Sequence, residues 1–516
     1  MSLLRASADA VRSILAPFPL LTRLTRAAGW TTLGTLVGNG LTFVAMIAVA
    51  RLLGRDRFGE LGILQSTVVM FQAFASVGLG MTAMKHVAEY RAKEPVRAGH
   101  IIAISDLAAI ISGGAAAMIV YAFAPWLAAH ALVRPEITPL LRIAAITIAL
   151  SSLTGAMNGT LGGMEEFRSI AVISLVSGLA AFPLILAGVL WKGVEGVVLA
   201  LAAQALLTCV LVYWMARRKA KRHHIPITLR GAREWPVLWR FSVPAMLSGI
   251  MVTPAEWLCN SILVRHGGGY SAMGIYAAAM QWRNLLMFLP IMIVQSALPV
   301  FASVKSSHGP QSEEFSRLIV VSQNAIMLLI FPVATLLMFL AHGILGLYGA
   351  SYSVGSMVLV AVCFMVTIQC TGAGLGPAIE AWGNMWAPAA FNFFWALLYV
   401  LFAWRGVARW GAAALPFGAA VAYFALTYIY LVYFRGRFPK GTTIRMTRAM
   451  LAATVVVAFC SVIPVRLRFW LSLPASIIVF LMAVLFFSDR ALIGGPILRS
   501  WTTLITVWKG RDKEVL

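Results

Sequence analysis

Charge is scarce in this chain. Asp, Glu, Lys and Arg make up 11% of its 516 residues, where a soluble domain carries about 25%. Acid is scarcer still, with 18 Asp and Glu against 41 Lys and Arg. Cysteine is sparse: Cys209, Cys259, Cys363, Cys370 and Cys460 all fall inside apolar runs and form no CxxC pair. That argues against a disulfide framework or thiolate metal site, since single buried cysteines act as small hydrophobes. No GxxxxGK[ST] segment occurs, so ATP bound in a P-loop is not the direct energy source, and no cofactor motif stands out. Ten-residue segments of alternating polarity are missing, which argues against a membrane β-barrel. No cleavable leader is evident: the first 28 residues carry Arg5, Arg12, Arg23 and Arg26 and lack a continuous apolar core before Gly29.

Apolar sequence fills the space that charge leaves. Hydrophobic residues are 60% of the chain, in recurring runs of about 20, each long enough to cross a hydrocarbon layer of about 30 Å. The reading is an all-α polytopic membrane protein with about 14 transmembrane helices. The expected spans are 29–50, 61–84, 101–124, 137–160, 169–190, 195–216, 241–264, 274–302, 318–341, 354–377, 387–404, 411–434, 447–465 and 469–488. The short Arg466–Arg468 turn leaves the last two as either two crossings or one re-entrant hairpin.

The most basic stretch is 217–240, RRKAKRHHIPITLRGAREWPVLWR, where eight Lys/Arg face the single acid Glu234. Short positive loops resist translocation, so this loop marks the cytoplasmic side. With the N-terminus inside, and Arg142 and Arg448 near span ends counted with the loops beside them, the inside segments hold 29 of the 41 Lys/Arg and the outside loops 11, leaving Arg283 within a span. Both termini are therefore expected in the cytoplasm. The first outside loop, with Arg51, Arg55 and Arg57, runs against the trend and is partly offset by Asp56 and Glu60. A net charge of +23 would suggest nucleic acid in a soluble protein. Here the charge sits in loops and orients the chain against anionic lipids, so no nucleic-acid partner is expected.

An internal repeat divides the chain. ARLLGRDRFGELGILQS (50–66) and LVRHGGGYSAMGIYAAAMQ (263–281) each place an Arg at a span end, a Gly-containing turn, an aromatic and then a Gly. Phe58 and Gly62 match Tyr270 and Gly274 at a common offset of 212. Six spans separate the copies, an even number, so both point the same way and a parallel repeat follows. The expected organisation is a cytoplasmic segment 1–28, an N-lobe 29–216, a basic linker 217–240, a C-lobe 241–434, two extra helices in 435–488 and a cytoplasmic tail 489–516.

The first hundred residues carry a resemblance. Arg51-Leu52-Leu53-Gly54 with Phe58-Gly59, then Gly78-Leu79-Gly80 with Lys85, resemble the polysaccharide transporter family. This family belongs to the multidrug/oligosaccharidyl-lipid/polysaccharide exporter superfamily. Hydropathy, span number and the 6+6 layout with two extra spans are similar along the whole chain. The resemblance implies a flippase that carries an undecaprenyl-pyrophosphate-linked oligosaccharide between leaflets by alternating access of two six-helix lobes, for O-antigen, capsule or exopolysaccharide assembly. It implies a lipid-linked oligosaccharide as substrate, a coupling proton or sodium ion, polysaccharide polymerase machinery as partner, and the bacterial inner membrane as location. The alternatives are a multidrug or lipid II exporter of the same superfamily and a membrane polysaccharide polymerase. The polymerase would need a long periplasmic loop bearing Asp, Arg or His, and the outside loops here are short.

Buried ionisable residues cost about 2.5–3.5 kcal/mol each at mid-bilayer, so they default to functional candidates. Glu256 in span 7 and Arg283 in span 8 lie at similar depth. One reading makes Arg283 a contact for the substrate pyrophosphate and Glu256 its modulator or a proton site; the other makes them an ion pair locking two helices. Asp106, near the cytoplasmic end of span 3, either functions in the bundle or snorkels to the interface. Polar stripes add Asn39 with Thr31, Thr35 and Thr42 in span 1, Asn260 with Thr253 in span 7, and Gln65 and Gln72 in span 2. Stripes of this kind point into a bundle. There they bind a sugar headgroup or join helices by hydrogen bonds worth about 0.6 kcal/mol each. No catalytic set emerges: Glu165-Glu166 read as a solvated turn, and His223-His224 as loop residues without acidic partners.

Overall fold

The computed structural model describes residues 19–76, 78–228, 251–309, 312–376, 378–379, 386–435, 438 and 441–487. Among these residues every regular element is a helix. In chain order they are α1 (Pro19–Ser76), α2 (Leu79–Tyr90), α3 (Pro95–Trp126), α4 (Thr138–Gly163), α5 (Phe167–Arg222), α6 (Val252–His266) and α7 (Gly269–His308). There follow α8 (Glu313–Gly346), α9 (Ser356–Ala373), α10 (Trp386–Trp410), α11 (Ala414–Tyr433), α12 (Thr442–Val462) and α13 (Val465–Phe487). Nine segments of the described residues are long and apolar enough to cross a membrane. The chain is an all-α polytopic membrane protein. Hydrocarbon offers no partner for a backbone N–H or C=O, and a helix satisfies both internally.

Several of these helices hold more than one crossing. At 1.5 Å per residue, the 58 residues of α1 would extend about 87 Å, far beyond a hydrocarbon layer of about 30 Å. The run breaks at Gly54, whose φ of 74° and ψ of 174° are not helical. The 56-residue α5 breaks at Lys192 and Gly193 and folds back on itself. Across that hairpin the hydroxyls of Ser177 and Thr208, 31 residues apart, share a hydrogen bond at 3.0 Å. Each of the fourteen expected spans falls on a described helix, span 7 only from residue 251 onward. The rest of span 7, the part of the basic linker from 229, residues 1–18 and the tail 489–516 lie outside the described residues.

One span differs from expectation. Span 2, read as unbroken over 61–84, stops at Ser76 and restarts at Leu79, after Gly78 with φ 65°. The break denies the Ala75 carbonyl its helical partner. Two serines take that place: Ser112 Oγ donates to it at 2.6 Å and Ser152 Oγ at 3.2 Å. A helix can end inside a bilayer only where neighbouring side chains satisfy the freed groups in this way.

The chain divides into two compact units, Met1–Gly274 and Ile275–Leu516. In unit 1, small residues let backbones approach. Gly34 and Gly38 of α1 lie directly on Ala171, Ser174 and Gly178 of α5, the packing mode that substitutes for hydrophobic attraction in lipid. Val87, Ile102, Leu161 and Val212 form a buried core at the end of this unit that carries the basic run. In unit 2, Phe301, Phe315, Leu375 and Phe434 form another. There α13 packs on α8 and α12 on α9. The C-terminal end of α9 is held by Gln323 of α8, whose amide donates to the Cys370 carbonyl at 3.0 Å and accepts from the Gly374 N–H at 2.8 Å.

Candidate functional site

The main candidate is a cavity of about 430 Å³ within unit 1, between α1, α4 and α5. Its polar lining is Gln65 and Gln72 from α1, Thr147, Ser151 and Thr154 from α4, and Gln204 and Thr208 from α5. Leu61, Leu64, Val68, Val198 and Leu201 supply the apolar remainder. Helical periodicity explains the assembly. Gln65 and Gln72 are two turns apart, Thr147, Ser151 and Thr154 repeat at i, i+4 and i+7, and Gln204 and Thr208 at i and i+4, so each helix offers one polar face. Thr147, Thr154 and Thr208 return their hydroxyl protons to backbone carbonyls of Ala144, Leu150 and Gln204. Their oxygens keep lone pairs that can accept. The described lining contains no charged side chain, so it suits a neutral, hydroxyl-rich ligand that exchanges hydrogen bonds.

Of the sequence candidates, Gln65 and Gln72 line this cavity. Asp106 does not. It is buried in α3, and its Oδ2 accepts from Arg217 Nη2 at 3.1 Å, while Oδ1 has no hydrogen-bond partner among the described residues. Asp106 therefore does not snorkel. Asn260 is buried in α6 and donates to Ser66 Oγ at 2.8 Å, beside Trp257, whose indole N–H donates to Thr67 Oγ1 at 3.0 Å. Both bonds tie α6 to α1. Asn39 is exposed on α1, and Glu256 is half-buried on α6. Arg283, half-buried on α7, belongs to unit 2. The threonines of α4 and the pair on α5 were missed by sequence reasoning, although their spacing of three and four was visible.

Two ionic clusters close the ends of unit 1. At the end away from the basic run, Arg134 Nη1 lies 2.8 Å from Glu60 and 3.0 Å from Asp56. Its guanidinium is 4.7 Å from the ring centre of Tyr270, and the Tyr270 hydroxyl donates to the Leu132 carbonyl at 2.8 Å. The two turns matched at offset 212 meet here: a Cβ on Gly59 would overlap the Tyr270 carbonyl oxygen, and one on Gly274 the Arg55 carbonyl oxygen. At the basic end, Glu165 pairs with Arg91 at 2.6 Å and Glu166 with Lys219 at 2.8 Å. His223 Nε2 stands 3.4 Å from Glu166. Glu165 and Glu166 sit in a turn, as read from sequence, with Glu165 exposed; the correction is to His223, read as having no acidic partner. Partial burial pushes the Glu166 carboxyl up, but Lys219, Ser169 and His223 more than offset it and hold it below its ordinary value of 4.5.

Unit 2 carries an apolar groove of about 440 Å³ lined by Phe331 of α8, Leu451, Ala452 and Val455 of α12, and Val479 and Met482 of α13. Arg445 and Arg448 stand at one end of its lining.

The polytopic helical bundle has an uncharged polar cavity inside one unit and an apolar groove in the other, and its family and relatives place it among membrane transport proteins. More particularly, residues 24–305 match the family described as polysaccharide biosynthesis protein, and the chain belongs to that family. It is similar to the EPS I polysaccharide export inner membrane protein EpsE of Ralstonia nicotianae, at 23% identity over 81% of this chain and 94% of that one. The succinoglycan biosynthesis transport protein ExoT of Rhizobium meliloti is 26% identical over 76% of this chain and 74% of its own. Among solved structures, an inward-facing multidrug resistance MATE transporter of the MOP superfamily shares the fold at TM-score 0.68 and 15% identity, over 81% of this chain and 98% of that one. The lipid II flippase MurJ does so at TM-score 0.67 and 14% identity, over 90% and 98%. The resemblance read from Arg51–Gly59 and Gly78–Lys85 is borne out.

Proposed function

We propose that this protein exports a polysaccharide precursor, as a flippase that moves an undecaprenyl-pyrophosphate-linked oligosaccharide across the bacterial inner membrane by alternating access. The observation that carries the reading is the unit 1 cavity: seven uncharged hydrogen-bonding side chains and no charged one in its described lining. Sugar hydroxyls donate and accept at once, and Gln, Thr and Ser answer both roles. A cation exporter would be served by a carboxylate in that lining. The groove of α8, α12 and α13 supports a carrier with a long hydrocarbon tail, and Arg445 and Arg448 at its end suit an attached phosphate. The transport names of EpsE and ExoT agree with export rather than catalysis. Arg283 as a pyrophosphate contact and Glu256 as a site for a coupling proton or sodium ion belong to the same proposal, as does partnership with a polymerase on the far side.

The test is genetic. In a strain deleted for this gene, the wild-type chain should restore surface polysaccharide. A Gln65→Leu, Gln72→Leu and Gln204→Leu variant, present in the membrane at wild-type level, should restore little and should leave lipid-linked saccharide on the inner leaflet. Full export by that variant would overturn the assignment of the cavity. Loss of an unrelated transport activity, with polysaccharide unaffected by the deletion, would overturn the function.

A further inference from the structure

The hairpin fold of α5 brings its first turn beside its last turns, at the basic end of unit 1. A pocket of about 800 Å³ opens there, lined by Arg168, Ser169, Val172, Met215, Arg218 and Arg222. Lys219 also lines it, but its ammonium is 2.8 Å from Glu166, and the Ser169 hydroxyl donates to the same carboxylate at 3.1 Å. Among the described residues no carboxylate pairs with Arg168, Arg218 or Arg222. Three guanidiniums thus converge on one pocket, with Arg218 stacked 5.2 Å above the Trp214 ring.

What lies beyond the cations is equally specific. From Arg168 the helix runs to Val172, Val176 and Leu179, all exposed. On the returning arm of the hairpin, Arg222 and Arg218 are followed by Trp214, also exposed. Residues spaced three or four apart share a helix face. Both faces therefore pass from hydrocarbon to guanidinium in the same direction. In a membrane helix, large uncovered apolar side chains face acyl chains. A groove lined by Val172 and Met215 beside its guanidiniums, with Val176, Leu179 and Trp214 exposed on the same two helix faces, matches an amphiphile with an anionic head.

We propose that this groove is a binding site for an anionic phospholipid of the leaflet facing the basic end, the cytoplasmic leaflet by the distribution of Lys and Arg. Arginine forks bind phosphate oxygens in pairs, and basic pockets between membrane helices hold anionic headgroups. The saccharide-linked carrier fits less well. The pocket offers cations and hydrocarbon, its only hydroxyl is engaged by Glu166, and it shares no lining residue with the polar cavity. The proposal does not rest on the transport reading.

Native mass spectrometry of the full-length protein, purified in detergent, tests it with added phosphatidylglycerol or phosphatidylethanolamine. The wild type should retain phosphatidylglycerol in preference. Arg168→Gln, Arg218→Gln and Arg222→Gln should each weaken retention about fivefold, and the triple variant should lose the preference. Lys93→Gln, which removes a cation from the same end but outside the pocket, should change nothing. The single variants carry the test should the triple variant elute as aggregate. Equal retention by the wild type and the three single variants would overturn the site. So would displacement of phosphatidylglycerol from the wild type by an equimolar polyprenyl diphosphate, which would assign the groove to the carrier instead.

Discussion

Arg134 Nη1 lies 2.8 Å from a carboxylate oxygen of Glu60, a side chain only 1% exposed. The two residues are far apart in sequence, one at the α1 turn and the other between α3 and α4. Their pairing closes one end of unit 1, and Tyr270 completes the closure beneath the guanidinium. Glu60→Gln takes from Arg134 its buried partner and leaves it Asp56 at 3.0 Å, so what is lost is a buried charge-assisted hydrogen bond. Glu60→Gln should therefore lower stability by about 1–3 kcal/mol, read as a lower thermal midpoint in detergent. Arg57 also bonds Glu60, at 3.3 Å, but is 60% exposed, so Arg57→Ala should cost under about 1 kcal/mol. If the two variants melt together, the pair does not carry the closure.

The same end depends on a missing side chain. Gly59 meets the Tyr270 carbonyl oxygen at a distance that no Cβ tolerates, whereas a Cβ on Gly114 of α3 would meet nothing within 4 Å. Gly59→Ala should force the two turns apart and cost about 1–3 kcal/mol. Gly114→Ala should be neutral or stabilising by up to about 1 kcal/mol, since alanine favours the helix. A Gly59→Ala protein as stable as the Gly114→Ala protein would show that the turns have room to separate.

Much of this fold was legible because the bilayer permits so few solutions. Span positions followed from apolar length alone, and the turns at Gly54 and Gly193 from the need to reverse a helix too long to cross once. Gln65 and Gln72 declared a face because they lie two turns apart. The break before Gly78 was hidden, because what stabilises it comes from Ser112 and Ser152 on other helices. Glu60 with Arg134 and Glu166 with Lys219 were hidden for the same reason: charge pairing across long sequence separations leaves no local period. Thr147, Thr154 and Thr208 were obscured because a threonine that returns its proton to the preceding turn looks alike on a cavity wall and in a packed core.

Glu166 provides a pH test at the basic end. Its carboxyl is held below 4.5 by Lys219, Ser169 and His223 in spite of partial burial. A depressed carboxylate contributes stability that is fully present above its unfolded value and is lost as pH falls through its folded value. The thermal midpoint of the wild type should therefore exceed that of Glu166→Gln at neutral pH, and the gap should close only on acidification below about 4.5. A gap that closes already between pH 7 and 6 would show that the carboxyl is not held below its ordinary value.

Asp106 and Arg217 make the last case, because here the two possible single changes are unequal. Asp106 is almost fully buried and Arg217 about a third exposed, with 3.1 Å between them. Arg217→Ala leaves a carboxylate stranded in the bundle with Oδ1 already lacking a partner. Asp106→Asn removes the charge that needs compensation, and the arginine can turn to water. Arg217→Ala should accordingly cost about 2–4 kcal/mol and Asp106→Asn less than half of that. Should Asp106→Asn keep wild-type stability yet abolish polysaccharide export, Asp106 acts in transport rather than in packing. Should Arg217→Ala be the milder change in a thermal melt, the carboxylate must reach solvent, and the buried pair described here does not hold.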